Sequence, residues 1–358
     1  MTPDSVDATA PVLLHTRGRA GHIVLNRPRA INALNHAMVR LMDHALTDWE
    51  RDDAIRTVVL TGAGERGLCA GGDIRSIHDD IRAGGGAASV AFWRDEYRLN
   101  ARIARFPKPY VAVMDGIVMG GGVGVSAHGS VRIVTERSRI AMPETGIGFV
   151  PDVGGTYLLT RTPGELGTHL ALTGAAVGAA DALLCGLADH FVPSERLADF
   201  TQALADSDVD DVLDAYADTA PPGELTAHRE WIDACYAADS VEEIVGRLYD
   251  CGDPAAKEAA ETVLAKSPTS LKVTLASLRR ARALATLEHV LEQEYRVSRT
   301  AITAPDMVEG IRAQVVDKDR NPHWSPAELA QVTDAQVARH FERHGDGGLG
   351  LAPATGPR

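Results

Sequence analysis

Glycine is unevenly placed in this chain. Eighteen of its 34 glycines lie between Gly62 and Gly155, which leaves 16 for the other 264 of 358 residues. Glycine raises the entropic cost of any regular element, so it persists where the fold uses bare backbone. The first half must therefore bring backbone close to something, whether another element or a ligand. Three clusters carry the excess: GLCAGGDI at 67–74, MGGGVG at 119–124 and GIGFVPDVGG at 146–155.

The pattern around the clusters is α/β. VLLHT at 12–16, HIVLN at 22–26, TVVLTG at 57–62, YVAVMDG at 110–116 and VRIVTE at 131–136 read as strands. Between them Val39, Met42, Leu46 and Trp49 recur at three- and four-residue steps, which predicts a helix over 36–50 with Asn35 as its N-cap. Another helix is expected over about 88–105. After Val192 strand-like runs stop, and 240–250, 255–265, 270–284, 286–303 and 326–344 read as amphipathic helices. The expected organisation is an α/β core over 10–192, a helical region over 193–344 and a disordered tail rich in Gly and Pro over 345–358.

Composition excludes several classes. Apolar residues make up 45% and charged residues 24%, as in a soluble globular protein. Lys and Arg number 36 against 49 Asp and Glu, and the net charge of −13 argues against nucleic-acid binding. No apolar run approaches the ~20 residues of a membrane span. The four cysteines form no CxxC pair, and the thirteen histidines form no HExxH signature, so no metal site is expected. The start, MTPDSVDATAPVLLH, lacks a basic n-region and an apolar h-region. A cytoplasmic protein with free thiols is the expectation.

The glycines admit more than one chemistry. Gly122, Gly124 and Ala127 fit GxGxxA, but a dinucleotide site needs that motif directly after its strand, and Ile117 to Gly121 intervene. No Walker loop occurs, and Ser126 lacks the closing glycine of a nucleophile elbow. Close packing of a helix on small residues remains one reading. The other is an oxyanion hole, because unpaired amides at a helix start point outward with partial positive charge.

Carboxylates supply the second clue. Within IAMPETGIGFVPDVGG, residues 140–155, only Glu144 and Asp152 are charged, and no Lys or Arg accompanies them. Desolvation would raise their pKa and suit them to proton transfer or nucleophilic attack. As plain turn residues they could instead cap, with Asp152 placed to cap a helix near Gly155. Glu96 shares a stripe with Phe92, Leu99, Ile103 and Phe106, whereas Asp95 points to solvent. Glu96 is thus either buried or a boundary residue that reaches outward.

NRPRAINALN at 26–35, GLCAGGDI, MGGGVG and PETGIGFVPDVGG at 143–155 together resemble, in order, the crotonase (enoyl-CoA hydratase/isomerase) superfamily. That resemblance implies a spiral of ββα units followed by C-terminal helices, an acyl-CoA partner, and assembly as trimers or hexamers. It implies that the Gly72 and Gly121 amides grip a thioester oxygen, and that Ala70, Gly72, Asp73 and Ile74 lie along the CoA adenine. Arg27 and Arg29 are candidates for the CoA phosphates. Hydratases carry a catalytic glutamate at the position held here by Gly124. The set Glu96, Gly121, Glu144 and Asp152 is instead similar to the superfamily branch that hydrolyses 3-hydroxyisobutyryl-CoA, in valine breakdown. AFWRDEYRLN at 91–100, SPTSLKVTL at 267–275, EYRVSRTAI at 294–302 and DKDRNPHWSP at 317–326 share that similarity. The expected reaction is hydrolysis of a short β-hydroxyacyl-CoA by Glu144 and Asp152, with Glu96 on the substrate hydroxyl. It needs no cofactor, coenzyme A being part of the substrate. The alternative is an enoyl-CoA hydratase or isomerase.

Overall fold

A computed structural model describes residues 9–345 and 347–351. The chain forms two compact units, each drawn from three stretches: residues 1–72, 99–140 and 177–223 in the first, and 73–98, 141–176 and 224–358 in the second. The linear division expected at residue 192 is thus replaced by an interleaved one.

The first unit is built on a six-stranded sheet. Its strands are β1 (Val12–Arg17), β2 (Ala20–Leu25), β3 (Thr57–Gly62), β4 (Tyr110–Met114), then β6 (Val131–Val134) and β8 (His190–Phe191), in that spatial order. β5 (Ile117–Met119) and β7 (Arg139–Ala141) form a separate pair. Only β1 and β2 are antiparallel; the rest of the large sheet is parallel. The apolar run YVAVM of β4 is buried throughout, as a parallel strand covered on both faces should be. The five expected strands are all present, whereas β5, β7 and β8, at two or three residues each, are too short to carry a pattern.

Helix His36–Arg51 follows its expected limits closely. The Asn35 side chain accepts from the Met38 amide at 3.0 Å, and Val39, Met42, Leu46 and Trp49 are buried. Helices Leu197–Ala203 and Val209–Tyr216, expected in the later helical region, belong to this unit. Their Phe200, Leu204, Val212 and Leu213 pack with Val59, Val111, Val113 and Ile133 of the sheet.

The second unit is helical. Val241–Asp250, Pro254–Leu264, Pro268–Ala281 and Leu287–Ala301 match four expected helices, and Leu225–Tyr236 is an addition. Residues 326–344 do not form the single helix expected. A 3-10 turn at Leu329–Gln331 is followed by extended Val332, and Thr333 then caps the short helix Asp334–Arg339. The expected tail begins in order: Leu349 is buried, its amide donates to Glu292 at 3.2 Å, and its carbonyl accepts from Arg98 Nη2 at 3.0 Å. The remainder of that tail, residues 352–358, lies outside the described residues.

Candidate active site

In the first unit the notable feature is backbone. Asn32, fully buried, donates its side-chain amide to the carbonyls of Ala63, Gly67 and Leu68 at 3.0, 3.2 and 3.1 Å. One side chain thus shapes the GLCAGG loop. Lone bridges from Cys69 to Val118 and from Leu34 to Gly72 hold the loop's end. The glycine clusters at 67–72 and 119–124 meet here. A Cβ on Gly122 would stand 2.5 Å from the Cys69 carbonyl oxygen, a clash no rotamer relieves. Gly71 has φ +108°, and a Cβ there would lie 3.8 Å from the Gly121 amide nitrogen. Helix Gly121–Ser126 starts at Gly121 itself. Among the described residues neither the Gly72 nor the Gly121 amide donates to another group. Two unspent donors on adjoining loops are what an oxyanion hole requires.

The other positions read from resemblance have local roles as well. The Ala70 amide donates to the Ile31 carbonyl at 2.9 Å. Asp73 caps helix Ile74–Gly84 by accepting from the Ser76 amide at 3.4 Å. Arg27 donates to the Ala33 carbonyl at 2.5 Å, while Arg29 is exposed.

In the second unit the notable feature is buried acid. Among the carboxylates buried there are Glu96, Glu144, Asp152 and Glu294, at 2%, 6%, 5% and 1% exposure. Glu96 comes from helix Ala87–Ala104, Glu144 opens the 3-10 turn Glu144–Ile147, and Glu294 comes from helix Leu287–Ala301. Glu96 is therefore a core residue and not a boundary one, and Asp95 is half-buried where solvent was expected.

Their partners differ. Asp152 Oδ2 accepts from the Tyr97 hydroxyl at 2.6 Å, and that hydroxyl lies 2.8 Å from Ser298 Oγ. Glu294 accepts from the Gly154 amide at 2.6 Å, the Thr156 amide at 2.9 Å and the Thr156 hydroxyl at 2.6 Å. By contrast Glu96 Oε1 and Glu144 Oε2 are buried with no hydrogen-bond partner. Asp152 does not cap the following helix. Helix Gly155–Leu159 has Gly154 at its N-cap with no side-chain cap, and the Asp152 carbonyl accepts the Gly155 amide at 2.6 Å.

Burial sets the proton affinities. It pushes Asp152 up to about 7, against the downward pull of the Tyr97 hydrogen bond. It pushes Glu294 up to about 8 despite its three donors, with Asp152 nearby adding to the rise. Glu144 is raised well above the carboxylate range by burial and then by Asp152 and Glu294, and Glu96 by burial and then by Asp152. Carboxylates that shift one another in this way titrate as a set. Such a cluster holds and releases protons near neutral pH, as general acid–base chemistry needs.

Residues 20–341 match the sequence profile of the enoyl-CoA hydratase/isomerase family. The chain belongs to that family. Among its relatives is a protein named 3-hydroxyisobutyryl-CoA hydrolase, mitochondrial, from Rattus norvegicus, 43% identical over 348 residues, covering 94% of this chain and 90% of the relative. A structure described as a carnitinyl-CoA dehydratase from Mycobacterium thermoresistibile superposes with a TM-score of 0.92 at 53% identity, over 95% of this chain and 98% of that one. Another, described as an enoyl-CoA hydratase from Rhodobacter sphaeroides 2.4.1, gives 0.90 at 43%, over 95% and 99%. The fold is that of the crotonases, as the motif order implied.

Asn32, Tyr97, Glu294 and Ser298 are additions that the sequence reading did not single out. A signal for Glu294 was present. With Leu287, Val290, Leu291 and Val297 it follows the buried stripe of its helix, the same argument that marked Glu96. His340 and His344 form an H-x-x-x-H pair whose rings bond the Gln336 carbonyl and Thr300 Oγ1, at 3.0 and 3.2 Å. Among the described residues no group of three His, Cys, Asp or Glu is arranged to hold a metal ion. Nor is any helix among them long and apolar enough to cross a membrane.

Proposed function

We propose that this protein hydrolyses 3-hydroxyisobutyryl-CoA to the free acid and coenzyme A. One observation carries the reading. Glu144 and Asp152 are buried with Glu96 in an acid cluster, while position 124 is a glycine with no side chain to offer. Hydration of an enoyl-CoA draws on two acid–base groups about its Cα–Cβ bond, and one is missing. The name of the relative from Rattus norvegicus supports the same reaction.

The amides of Gly72 and Gly121 stabilise the thioester oxygen, most strongly as charge gathers on it in the tetrahedral state. In the form where the set's proton sits on Asp152, the ionised Glu144 carboxylate attacks the carbonyl carbon, the C–S bond breaks, and Asp152 gives that proton to the departing thiolate. Water then cleaves the anhydride, and Asp152 takes a proton back. In the parallel route Glu144 takes a proton from the attacking water. Glu96, with one oxygen unpartnered, meets the substrate hydroxyl. CoA lies along Ala70, Gly72, Asp73 and Ile74.

A second reading, hydratase or isomerase, draws on the descriptions of the two similar structures. A single experiment separates them. Thiol release from 3-hydroxyisobutyryl-CoA is followed with a disulfide reagent while crotonyl-CoA absorbance is recorded in parallel. Thiol release with unchanged crotonyl-CoA is expected. Rapid hydration without thiol would overturn the hydrolase. A cytoplasmic location is our reading of four cysteines that are all free thiols, and trimeric or hexameric assembly follows the resemblance. Light scattering on the purified protein tests the assembly.

A further inference from the structure

The helix Leu287–Ala301 reaches Asp152 in two ways, directly after it through Glu294 and indirectly through Ser298 and Tyr97. Glu294 and Ser298 are four residues apart and so share one helix face. Glu294 takes the Gly154 and Thr156 amides, two and four residues beyond Asp152. Ser298 takes the other side of the Tyr97 hydroxyl whose proton goes to Asp152 Oδ2. Each of these groups is buried, and the Tyr97 ring packs edge-on against Tyr295 at 6.2 Å between centroids. A phenol so enclosed has no freedom to leave the carboxylate.

We infer that Tyr97, backed by Ser298, is a positioning residue that sets the orientation and proton affinity of Asp152 for thioester hydrolysis. The inference rests on the catalytic reading of Asp152. Its chemistry is a count of protons. When Asp152 is ionised, the single phenol proton is spent on the carboxylate, so the Ser298 hydroxyl must donate to the phenol oxygen. When Asp152 is protonated, both bonds reverse: the carboxyl donates to Tyr97 and Tyr97 donates to Ser298. Two hydroxyls in series therefore give Asp152 a partner in either state. A lone donor would favour only the anion. The groups that face Asp152 are Glu96 and Tyr97 from helix Ala87–Ala104, Glu144 from its turn and Glu294 from the opposing helix. Arg94 and Arg299 lie over the Tyr295 ring, at 5.6 and 5.8 Å from its centroid. Around Asp152 itself the surroundings are acidic, which makes the neutral donor Tyr97 the main force favouring its charged form.

The test is the pH profile of thiol release for wild type, Asp152→Asn, Tyr97→Phe, Ser298→Ala and Ser298→Thr. The wild-type profile should show an inflection near 7 that Asp152→Asn abolishes. Tyr97→Phe removes the hydroxyl alone, so the inflection moves upward by about one pH unit and kcat falls roughly tenfold with KM unchanged. Ser298→Ala moves it less, in the same direction, and Ser298→Thr restores it. Should Tyr97→Phe fail to fold, the Ser298 pair carries the test. A folded Tyr97→Phe or Ser298→Ala with an unmoved inflection overturns the inference. If Asp152→Asn instead keeps the wild-type rate and profile, the catalytic reading of Asp152 fails, and the inference with it.

Discussion

The two units solve opposite problems. The first offers amides, which carry no titratable proton, need no side chain and are aimed by glycine. The second offers carboxyl groups, which titrate, must be desolvated, and need hydroxyls and amides to hold them. A donor made of backbone is disturbed by adding atoms, and an acid made of side chains is disturbed by removing them. Mutations should separate the two cleanly.

The largest effect is expected on the acid side. Glu144→Gln keeps the shape and loses the nucleophile or base, so thiol release should fall by about 10²- to 10⁴-fold, the range of a positioned acid–base group. Acyl-CoA binding, read by calorimetry, should stay within a few-fold, and retained activity would remove Glu144 from the mechanism. On the backbone side the disruptive change is an addition. Gly122→Ala places a methyl group against the Cys69 carbonyl, and displacing one oxyanion donor typically costs about 10²- to 10³-fold. Its pH profile should keep the wild-type inflections, since no titrating group has changed; a shifted profile would break the comparison.

A third expectation concerns stability. Asp152 and Glu294 have folded-state pKa values raised to about 7 and about 8, so the native state binds protons that the unfolded chain has already lost. For acids shifted upward, stability is greatest below the unfolded value and falls as pH rises toward the folded one. Between about pH 5 and 6.5 these groups together should make stability fall as pH rises, by roughly 1 kcal/mol or more per pH unit. Melting temperatures across that range should fall, and Glu294→Gln should flatten the trend. A melting temperature that rises through this window would contradict the burial of these acids as carboxyls. The smallest effect tests the first unit away from its glycines. Asn35→Ala removes the N-cap of helix His36–Arg51 and should cost about 1 kcal/mol in denaturant unfolding, with thiol release unaltered.

Much of this was legible because side-chain periodicity reports burial. The stripe through Glu96 marked it as unusual, and the absence of local Lys or Arg marked Glu144 and Asp152. What periodicity cannot report is pairing across long sequence separations. Tyr97 meets Asp152 over 55 positions and Ser298 over 201, and neither spacing has a local signature. Asn32 was hidden for another reason. A buried Asn with three carbonyl acceptors looks, in sequence, like any turn residue. The interleaving of the two units was equally invisible, since composition changes along the chain while contact does not follow it. Helices Leu197–Ala203 and Val209–Tyr216 show this, lying past the last strand yet covering the sheet.

The bonds from Tyr97 to Asp152 and Ser298 also have a bearing on how the protein is made. Synthesis delivers Glu96, Glu144 and Asp152 well before the helix that completes their setting. Until residue 298 has emerged from the ribosome, the phenol has no serine behind it and the Gly154–Thr156 turn has no Glu294 to bind. The nascent chain therefore carries its acids before it has the means to tune them. On this reading, competence for hydrolysis arrives only once helix Leu287–Ala301 has been made and has packed onto the acids.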